Sequence, residues 1–482
     1  MILKRFYDDK LAQASYLVGC ARTGESAVID ANRNVEQYIQ TAAEEGLRIT
    51  VVTETHIHAD YVSGSRELAE RTGAQLYLSD EGDADWKYGF ASQPNVTLVK
   101  EGDKIRIGNV RLDVMKTPGH TPEHISFILT DEPANPAPLG AFTGDFIFVG
   151  DVGRPDLLEK AAGVKGTMEK GAQTLFRSLD KFKSQFPNEL IIWPAHGSGS
   201  ACGKALGGVP MSTLGYEKVA NWGLRFEQEE EFVNAVLEGQ PEPPYYFREM
   251  KRINKVGPDI LGGFKIPPQL GGPMIFDLLD KNAVIVDVRS AGDAATGFIP
   301  GVLNIPNGSS FTNWAGWLLP YDKPIYLIAE TVDDVAQSVR DLQSIGLDDV
   351  SGWMGKDALR AYERRHGMLE TVAQLNIRDA VEQHRLGEVE LVDIRGAVEY
   401  GEGHIPRTRN IPLGYLRERA CELPRDKRVV LMCSGGSRSP IGCSVLRNLG
   451  FLRIANQTGG FDEYLDAKLP IETGARALEA LT

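Results

Sequence analysis

Four short stretches decide how the first part of this chain folds: Thr55-His56-Ile57-His58-Ala59-Asp60-Tyr61, Pro118-Gly119-His120-Thr121-Pro122-Glu123-His124, Thr143-Gly144-Asp145 and Pro194-Ala195-His196-Gly197. Each follows or ends an apolar run that reads as a buried strand: Ile49–Thr53, Val110–Met115, Ala141–Thr143 and Leu190–Trp193. Another strand is expected at Ser126–Leu129, and a helical stripe of Val35, Tyr38, Ile39, Ala42 and Ala43 is closed by Gly46. Strands separated by helices imply a layered α/β or α+β domain, whose strand ends converge on one edge. Five of the eight histidines lie before residue 200, all in these stretches. Imidazoles gathered with a carboxylate are the donor set of a divalent transition metal. One histidine alone would read as a satisfied core residue; four groups at four strand ends do not.

Outward from these stretches, 482 residues suggest about three domains. Hydrophobic content of 42% and charged content of 24% are ordinary globular values, which excludes a largely disordered chain. No run approaches the ~18 apolar residues of a membrane span. The start, Met1 to Asp9, lacks the apolar segment of a secretory leader. Lys+Arg 52 against Asp+Glu 66 gives a net charge of −14, which disfavours nucleic acid and anionic membrane as partners. The five cysteines, Cys20, Cys202, Cys421, Cys433 and Cys443, are odd in number with no CxxC spacing. They are expected to be reduced thiols of a cytoplasmic protein rather than a disulfide framework.

The C-terminal part repeats itself. Ile285-Val286-Asp287-Val288-Arg289 recurs as Leu391-Val392-Asp393-Ile394-Arg395, Gly297-Phe298-Ile299-Pro300 as Gly403-His404-Ile405-Pro406, and Asn304-Ile305-Pro306 as Asn410-Ile411-Pro412. Asp322-Lys323 later matches Asp426-Lys427, so the offset falls from 106 (393 − 287) to 104 (426 − 322). Each copy is of domain length, with short apolar runs between helical patterns at Val335–Leu342 and Ile441–Leu449 that end near Gly346 and Gly450. Three α/β domains are expected, over residues 1–250, 260–370 and 373–482. A helical segment at 211–237 follows the layered part of the first, with connecting structure at Gly239-Gln240-Pro241-Glu242-Pro243-Pro244 and 257–273.

Only the second copy carries Cys433-Ser434-Gly435-Gly436-Ser437-Arg438-Ser439, a small-residue loop between a strand and a helix. Successive backbone N–H groups, a helix N-terminus and Arg438 all favour thiolate over thiol there. The first copy has Ala329 opposite Cys433 and Glu330-Thr331-Val332-Asp333-Asp334 opposite the loop. It is therefore expected to be chemically silent. Four residues, not the five of a dual-specificity phosphatase, separate Cys433 from Arg438, which excludes that reading. Gly203-Lys204 is not a phosphate loop, because Ser198 and Ala205 stand where glycine and Ser/Thr are needed.

The HxHxD run, the PGHT loop, the TGD turn with its extension to Arg154-Pro155-Asp156 and the PAHG turn resemble the metallo-β-lactamase superfamily. The branch most resembled is that of the glyoxalase II-like persulfide dioxygenases. The Cys433 loop, Asp393, Arg395 and the GHIP segment at 403–406 resemble the rhodaneses. The resemblance implies an α/β multidomain protein, an αββα sandwich followed by two α/β rhodanese-like domains. It also implies one Fe(II) held by His56, His120 and Asp145, the facial triad of non-haem oxygenases, with zinc as the competing metal. His58, Asp60, Tyr61, His196, Arg154 and Cys202 are then expected around the ligands or in the pocket. Tyr61 stands where the superfamily's hydrolases carry a histidine, which puts a second metal in doubt.

The expected activity is oxidation of a low-molecular-weight thiol persulfide by O2 to sulfite and thiol. Cys433 would act as nucleophile and sulfur carrier, with Arg438 beside it and Ser434, Gly435, Gly436 and Ser437 as the cradle, forming or using thiosulfate. The alternative is a zinc-dependent glyoxalase II-like thioester hydrolase fused to a rhodanese sulfur carrier. The silent copy and the segment after 210 are candidate surfaces for a homo-oligomer.

Overall fold

The computed structural model describes residues 1–157, 159, 166–240 and 242–474. Pro241 of the expected connector and residues 475–482 of the third expected domain lie outside them. The chain divides into two compact units, Met1–Phe264 with Leu342–Gly346, and the remainder from Lys265 onward.

In the first unit, β1 (Ile2–Asp8), β2 (Gln13–Cys20), β3 (Glu25–Ile29), β4 (Arg48–Thr53), β5 (Gln75–Ser79) and β6 (Val96–Val99) form one sheet in that order. A second sheet holds β7 (Lys104–Ile107), β8 (Val110–Lys116), β9 (Ile125–Asp131), β10 (Gly140–Gly144), β11 (Ile191–Pro194) and β12 (Ser212–Thr213), again in sequential order. The two-residue period of a strand sorts the side chains between faces. Tyr16 and Val18 of β2 join Phe127 and Leu129 of β9 and Phe142 of β10 in the core between the sheets. Leu17 turns to the opposite face, under Tyr38 and Ala42 of the helix Glu36–Glu44 and Leu68 of the helix Ser65–Thr72. Ile128 and Ala141 likewise turn outward, against Leu175, Leu179 and Phe182 of the helix Met168–Gln185. The result is an αββα sandwich.

The two sheets are stitched at the edge where the histidine loops emerge. Ala14 N–H donates to Ala195 O (2.6 Å) and Gly197 N–H to Ala12 O (3.1 Å), joining the start of β2 to the end of β11. Ile125 N–H donates to Thr55 O (2.8 Å), joining the loop after β4 to β9. The helical segment expected at 211–237 is broken. A helix Leu214–Ala220 stops at Asn221, and a second, Glu229–Leu237, starts afresh. Asn221 is the cause: its buried side-chain amide donates to Phe148 O (3.2 Å) and Asp151 O (2.7 Å), which holds its backbone extended.

The second unit contains two parallel sheets, and they reproduce the sequence repeat strand for strand. β13 (Val284–Asp287), β14 (Leu303–Asn304), β15 (Ile325–Ile328) and β16 (Val350–Met354) lie in the order β14-β13-β15-β16. β17 (Ala373–Leu375), β18 (Val389–Asp393), β19 (Arg409–Asn410), β20 (Arg428–Met432) and β21 (Ile454–Gln457) lie in the order β17-β21-β20-β18-β19. Read from the other edge, the second order is the first with β17 added. In each copy a buried carboxylate–guanidinium pair pins the end of the central strand. Arg289 NH2 donates to Asp287 Oδ2 (2.7 Å) and Gly297 O (2.9 Å), and Arg395 NH2 to Asp393 Oδ2 (2.7 Å) and Gly403 O (2.7 Å). The matching asparagines, Asn304 and Asn410, each donate to the two carbonyls beside the pair. The repeated Asp-x-Arg…Asn pattern therefore braces each sheet. Asp393→Ala would leave Arg395 buried and unpaired, at a cost of ~3–5 kcal/mol. Hydrogen exchange of the β18 and β20 amides in the full chain should accelerate accordingly; unchanged protection would show that the pair is not a brace.

Candidate metal centre and cysteine loop

Two imidazoles and one carboxylate meet at the stitched edge of the first unit. The ligand atoms of His56, His120 and Asp145 lie within 4.8 Å of one another, all three residues being buried. Asp145 Oδ2 is 3.9 Å from His56 Nε2 and 3.5 Å from His120 Nε2. His120 Nδ1 donates to Arg154 O (3.0 Å), which leaves its Nε2 lone pair for a cation, and His56 Nδ1 lies 3.0 Å from Thr55 Oγ1. Burial first, and neighbouring imidazoles next, hold His56 well below the usual histidine range. Burial also lowers His120, against the pull of Asp145. Both are therefore neutral at pH 7, as ligands must be. His56 Nε2 and both oxygens of Asp145 are buried without a hydrogen-bond partner. Buried polar atoms are rarely left so, and a divalent cation would satisfy all three.

The turn that presents Asp145 admits almost no variation. Gly144 has φ +53°, and a Cβ there would lie 2.5 Å from Thr55 Oγ1 and 2.7 Å from His124 Nε2. A Cβ on Gly153 would lie 1.8 Å from Asp145 O. His124 Nε2 accepts the Asp145 N–H (3.1 Å), so its proton is on Nδ1, 2.9 Å from Thr117 Oγ1. Arg154 is wholly buried and its guanidinium is engaged by Asp156 (2.8 and 2.7 Å) and Ala201 O (3.0 Å). It braces the loop.

His58 stands apart from the other imidazoles. Its Nε2 lies 3.2 Å from Asp30 Oδ1. Burial opposes its protonation, but Asp30, Glu54 and Asp60 outweigh it and push the ring up to about 9. With Nε2 turned to Asp30, His58 lies outside the cluster formed by His56, His120 and Asp145. Tyr61 is also turned away: its hydroxyl donates to Asp30 O (3.3 Å) and accepts from Gln13 Nε2 (3.3 Å). Asp60, His196 and Cys202 form a second cluster, again with ligand atoms within 4.8 Å. His196 Nε2 is 3.1 Å from Asp60 Oδ2 and 3.4 Å from Asp145 Oδ1, so Asp145 faces both clusters. Burial, then the charges of Asp60 and Asp145, pushes the Cys202 thiol up to about 12.

In the second unit, Cys433 follows β20 and is fully buried. Its sulfur accepts the Arg438 N–H (3.3 Å), and its thiol donates to Ser439 Oγ (3.7 Å) at the start of the helix Arg438–Asn448. Ser434 Oγ donates to Asp462 Oδ1 (2.9 Å), which ties down one side of the Ser434-Gly435-Gly436-Ser437 loop. Arg438 meets the sulfur through its backbone; its guanidinium is gripped by both Glu399 oxygens (2.7 and 2.8 Å). In the first copy, Ala329 occupies the equivalent strand end, Glu330 pairs with Lys356 (2.7 Å), and Thr331 and Asp334 cap each other.

Three residues that position the sites carried no motif. Asp30 anchors Thr55 and His58 from the end of β3, Glu399 grips Arg438, and Asn254 lies on the helix Phe247–Val256. The Asn254 side chain donates to His58 O (2.8 Å) and Tyr61 O (2.7 Å) and accepts from Ser63 N–H (2.9 Å), pinning the whole HxHxD loop. The available signal was a polar residue inside an otherwise amphipathic helix, which does not by itself name a partner. Asn254→Ala should weaken metal binding about 10–100-fold in competition with a chelator, with His56, His120 and Asp145 all intact. Wild-type affinity would show that the loop holds its shape unaided.

Comparison with known proteins agrees with this geometry. The metallo-beta-lactamase superfamily model matches residues 8–196 and the rhodanese-like domain model residues 377–467. The mitochondrial persulfide dioxygenase ETHE1 of Bos taurus is 28% identical over 234 residues, 48% of this chain and 78% of its own length. The hydroxyacylglutathione hydrolase GloC of Haemophilus influenzae is 29% identical over 195 residues, 37% of this chain and 83% of its own. A crystal structure of a metallo-beta-lactamase from Staphylococcus aureus subsp. aureus COL is 42% identical with a TM-score of 0.66, covering 74% of this chain and 99% of that one. Its coverage extends past the first unit. The chain belongs to the metallo-beta-lactamase superfamily, and carries a rhodanese-like domain C-terminal to its αββα sandwich.

Proposed function

We propose that the first unit is a persulfide dioxygenase using one Fe(II), and that Cys433 is the sulfur carrier of a sulfurtransferase on the same chain. The observation that carries the first assignment is the donor set: two buried imidazoles and one carboxylate gathered together, with His58 turned away to Asp30. The likeness to persulfide dioxygenase ETHE1 supports it. The overall reaction is RSSH + O2 + H2O giving RSH, sulfite and two protons. The ion would supply a redox centre with open coordination positions. The chain's own part is positional: Arg154 O orients His120, and His124 and Gly153 set Asp145. Buried walls keep bulk water from the ligands.

In the second step the Cys433 thiolate attacks the outer sulfur of a persulfide or of thiosulfate. A new S–S bond forms on Sγ, the donor's S–S bond breaks, and the electron pair leaves with the thiolate or with sulfite. Sulfite produced by the first unit reverses the latter case, taking the outer sulfur to become thiosulfate and restoring the Cys433 thiolate. The Arg438 N–H, at the start of its helix, donates to the sulfur. The first repeat copy, with Ala329 in place of the thiol, serves as a silent rhodanese-like domain. The carrier is a low-molecular-weight thiol, and the setting a reducing cytoplasm.

The competing reading, a zinc-dependent thioester hydrolase like the hydroxyacylglutathione hydrolases, draws on the Asp60–His196–Cys202 cluster, which could hold a second ion. Metal analysis and oxygen uptake separate the two. Protein purified without oxygen should contain about one iron per chain and consume O2 only when a persulfide is added, and His120→Ala should abolish both. One or two zinc ions per chain and no O2 uptake would overturn the dioxygenase. Cys433→Ser should release sulfite where the unaltered chain releases thiosulfate; identical product ratios would sink the coupling.

A further inference from the structure

The helix Arg438–Asn448 meets the sulfur at its first turn, through the Arg438 N–H (3.3 Å to Cys433 Sγ) and Ser439 Oγ (3.7 Å). Its residues Ile441 to Leu446 are all buried, so this stretch has no open face and is covered on every side. One cover is its own sheet. A Cβ on Gly442 would lie 2.8 Å from Leu431 Cδ1 and 3.1 Å from Ile394 Cδ1, so helix and strands touch at a bare glycine. The other cover is the first copy of the repeat.

That second cover is polar and directional. β14 is the edge strand of the first copy's sheet. Its Ile305 N–H turns inward to Asp287 O (3.1 Å), so the Asn304 N–H one residue earlier points off the edge. It donates to Ser444 Oγ (3.2 Å), whose own proton goes to Ile441 O (2.8 Å) within the helix. One turn on, the Gly301 N–H donates to Asn448 Oδ1 (3.2 Å), and Arg447 pairs with Glu370. Asn304 is itself fixed, since its side chain donates to the carbonyls of Asp287 and Arg289 beside their buried ion pair. An unbroken run of contacts therefore leads from the Asp287–Arg289 brace through Asn304 and Ser444 to the helix. Ser444 lies roughly 9 Å along the axis from Arg438, within one rigid element.

We propose that the first copy, which has no thiol of its own, is the positioning element for Cys433: it fixes the far half of the helix Arg438–Asn448, and with it the N–H that meets the sulfur, with Ser444 as the positioning residue. The inference rests on the sulfurtransferase reading of Cys433 and states what the silent copy does for it. The brace is kept in a copy without chemistry because its asparagine holds the neighbour's helix.

The test uses the full chain and sulfur transfer from thiosulfate to cyanide. Ser444→Thr and Ser444→Val share one shape and differ in the hydroxyl, and Ser444 borders a cavity of about 350 Å3 with room for the added methyl. Ser444→Val should lower kcat by about tenfold or more and leave KM for thiosulfate unchanged, while Ser444→Thr keeps the kcat of the unaltered chain. Hydrogen exchange of the Arg438 amide should accelerate in the valine variant alone. If Ser444→Val does not fold, the exposed end of the helix decides: Asn448→Ala should lower kcat at unchanged KM, and Asn448→Asp, which keeps the acceptor, should restore it. Equal kcat in the paired variants, or a loss carried by KM, would overturn the proposal. If the unaltered chain transfers no sulfur, the Cys433 reading itself fails. Exchange then judges the positioning: a faster Arg438 amide in Ser444→Val than in Ser444→Thr supports it, and equal rates overturn it.

Discussion

Asp145 is the residue on which the geometry of the candidate metal centre depends. Its carboxylate faces two histidine clusters at once, with one oxygen toward His56 and His120 and the other toward His196. That placement requires a left-handed Gly144, a Gly153 without a side chain, and a neutral His124 accepting the Asp145 N–H. Three separate segments thus converge on one peptide unit. The cross-sheet hydrogen bonds at Ala14, Gly197 and Ile125 hold those segments together. Loosening any of them would disturb the carboxylate before it disturbed the core.

The same edge shows how a fold shared by hydrolases and oxygenases chooses its donors. The rings are directed differently: His58 Nε2 faces Asp30, outside the cluster of His56, His120 and Asp145, while burial lowers His56 and His120. Tyr61 is hydrogen-bonded into the core behind His58 and contributes no lone pair to the second cluster. Cys202 stands beside Asp60 and His196 instead, with its thiol raised by burial and two carboxylates. Against burial, Asp145 and Asp60 raise His196 well above its usual range.

In the second unit, duplication has preserved the scaffold and released the chemistry. Both copies keep the buried Asp–Arg pair and the asparagine that caps it, because losing either would leave charges or carbonyls unsatisfied inside a sheet. The loop after β15 and β20 is under no such constraint. Ala329 fills the strand end as well as Cys433 does, and the Thr331–Asp334 cap starts the following helix without a glycine loop. Residues of both copies line one cavity beside Gly435 and Gly436.

Much of this was legible in residue order. The histidine stretches at strand ends, the Gly-Gly cysteine loop and the repeat are local patterns, and local backbone geometry places them: a residue one step past a buried strand lies at the sheet edge wherever that sheet sits. The broken helix at Asn221 was not legible, because the carbonyls it serves belong to Phe148 and Asp151, some seventy positions earlier. Nor were Asn254, Asp30 or Glu399, each a common polar residue until the fold sets it against a distant loop. The sequence by itself determined the layered α/β units, the donor types and the cysteine loop present in one copy alone, since these depend on periodicity and spacing. Tertiary structure alone decided which histidine stays neutral, which cysteine meets which carboxylate and where a cavity opens between the copies, since burial and through-space charge are properties of neighbours far apart in the chain.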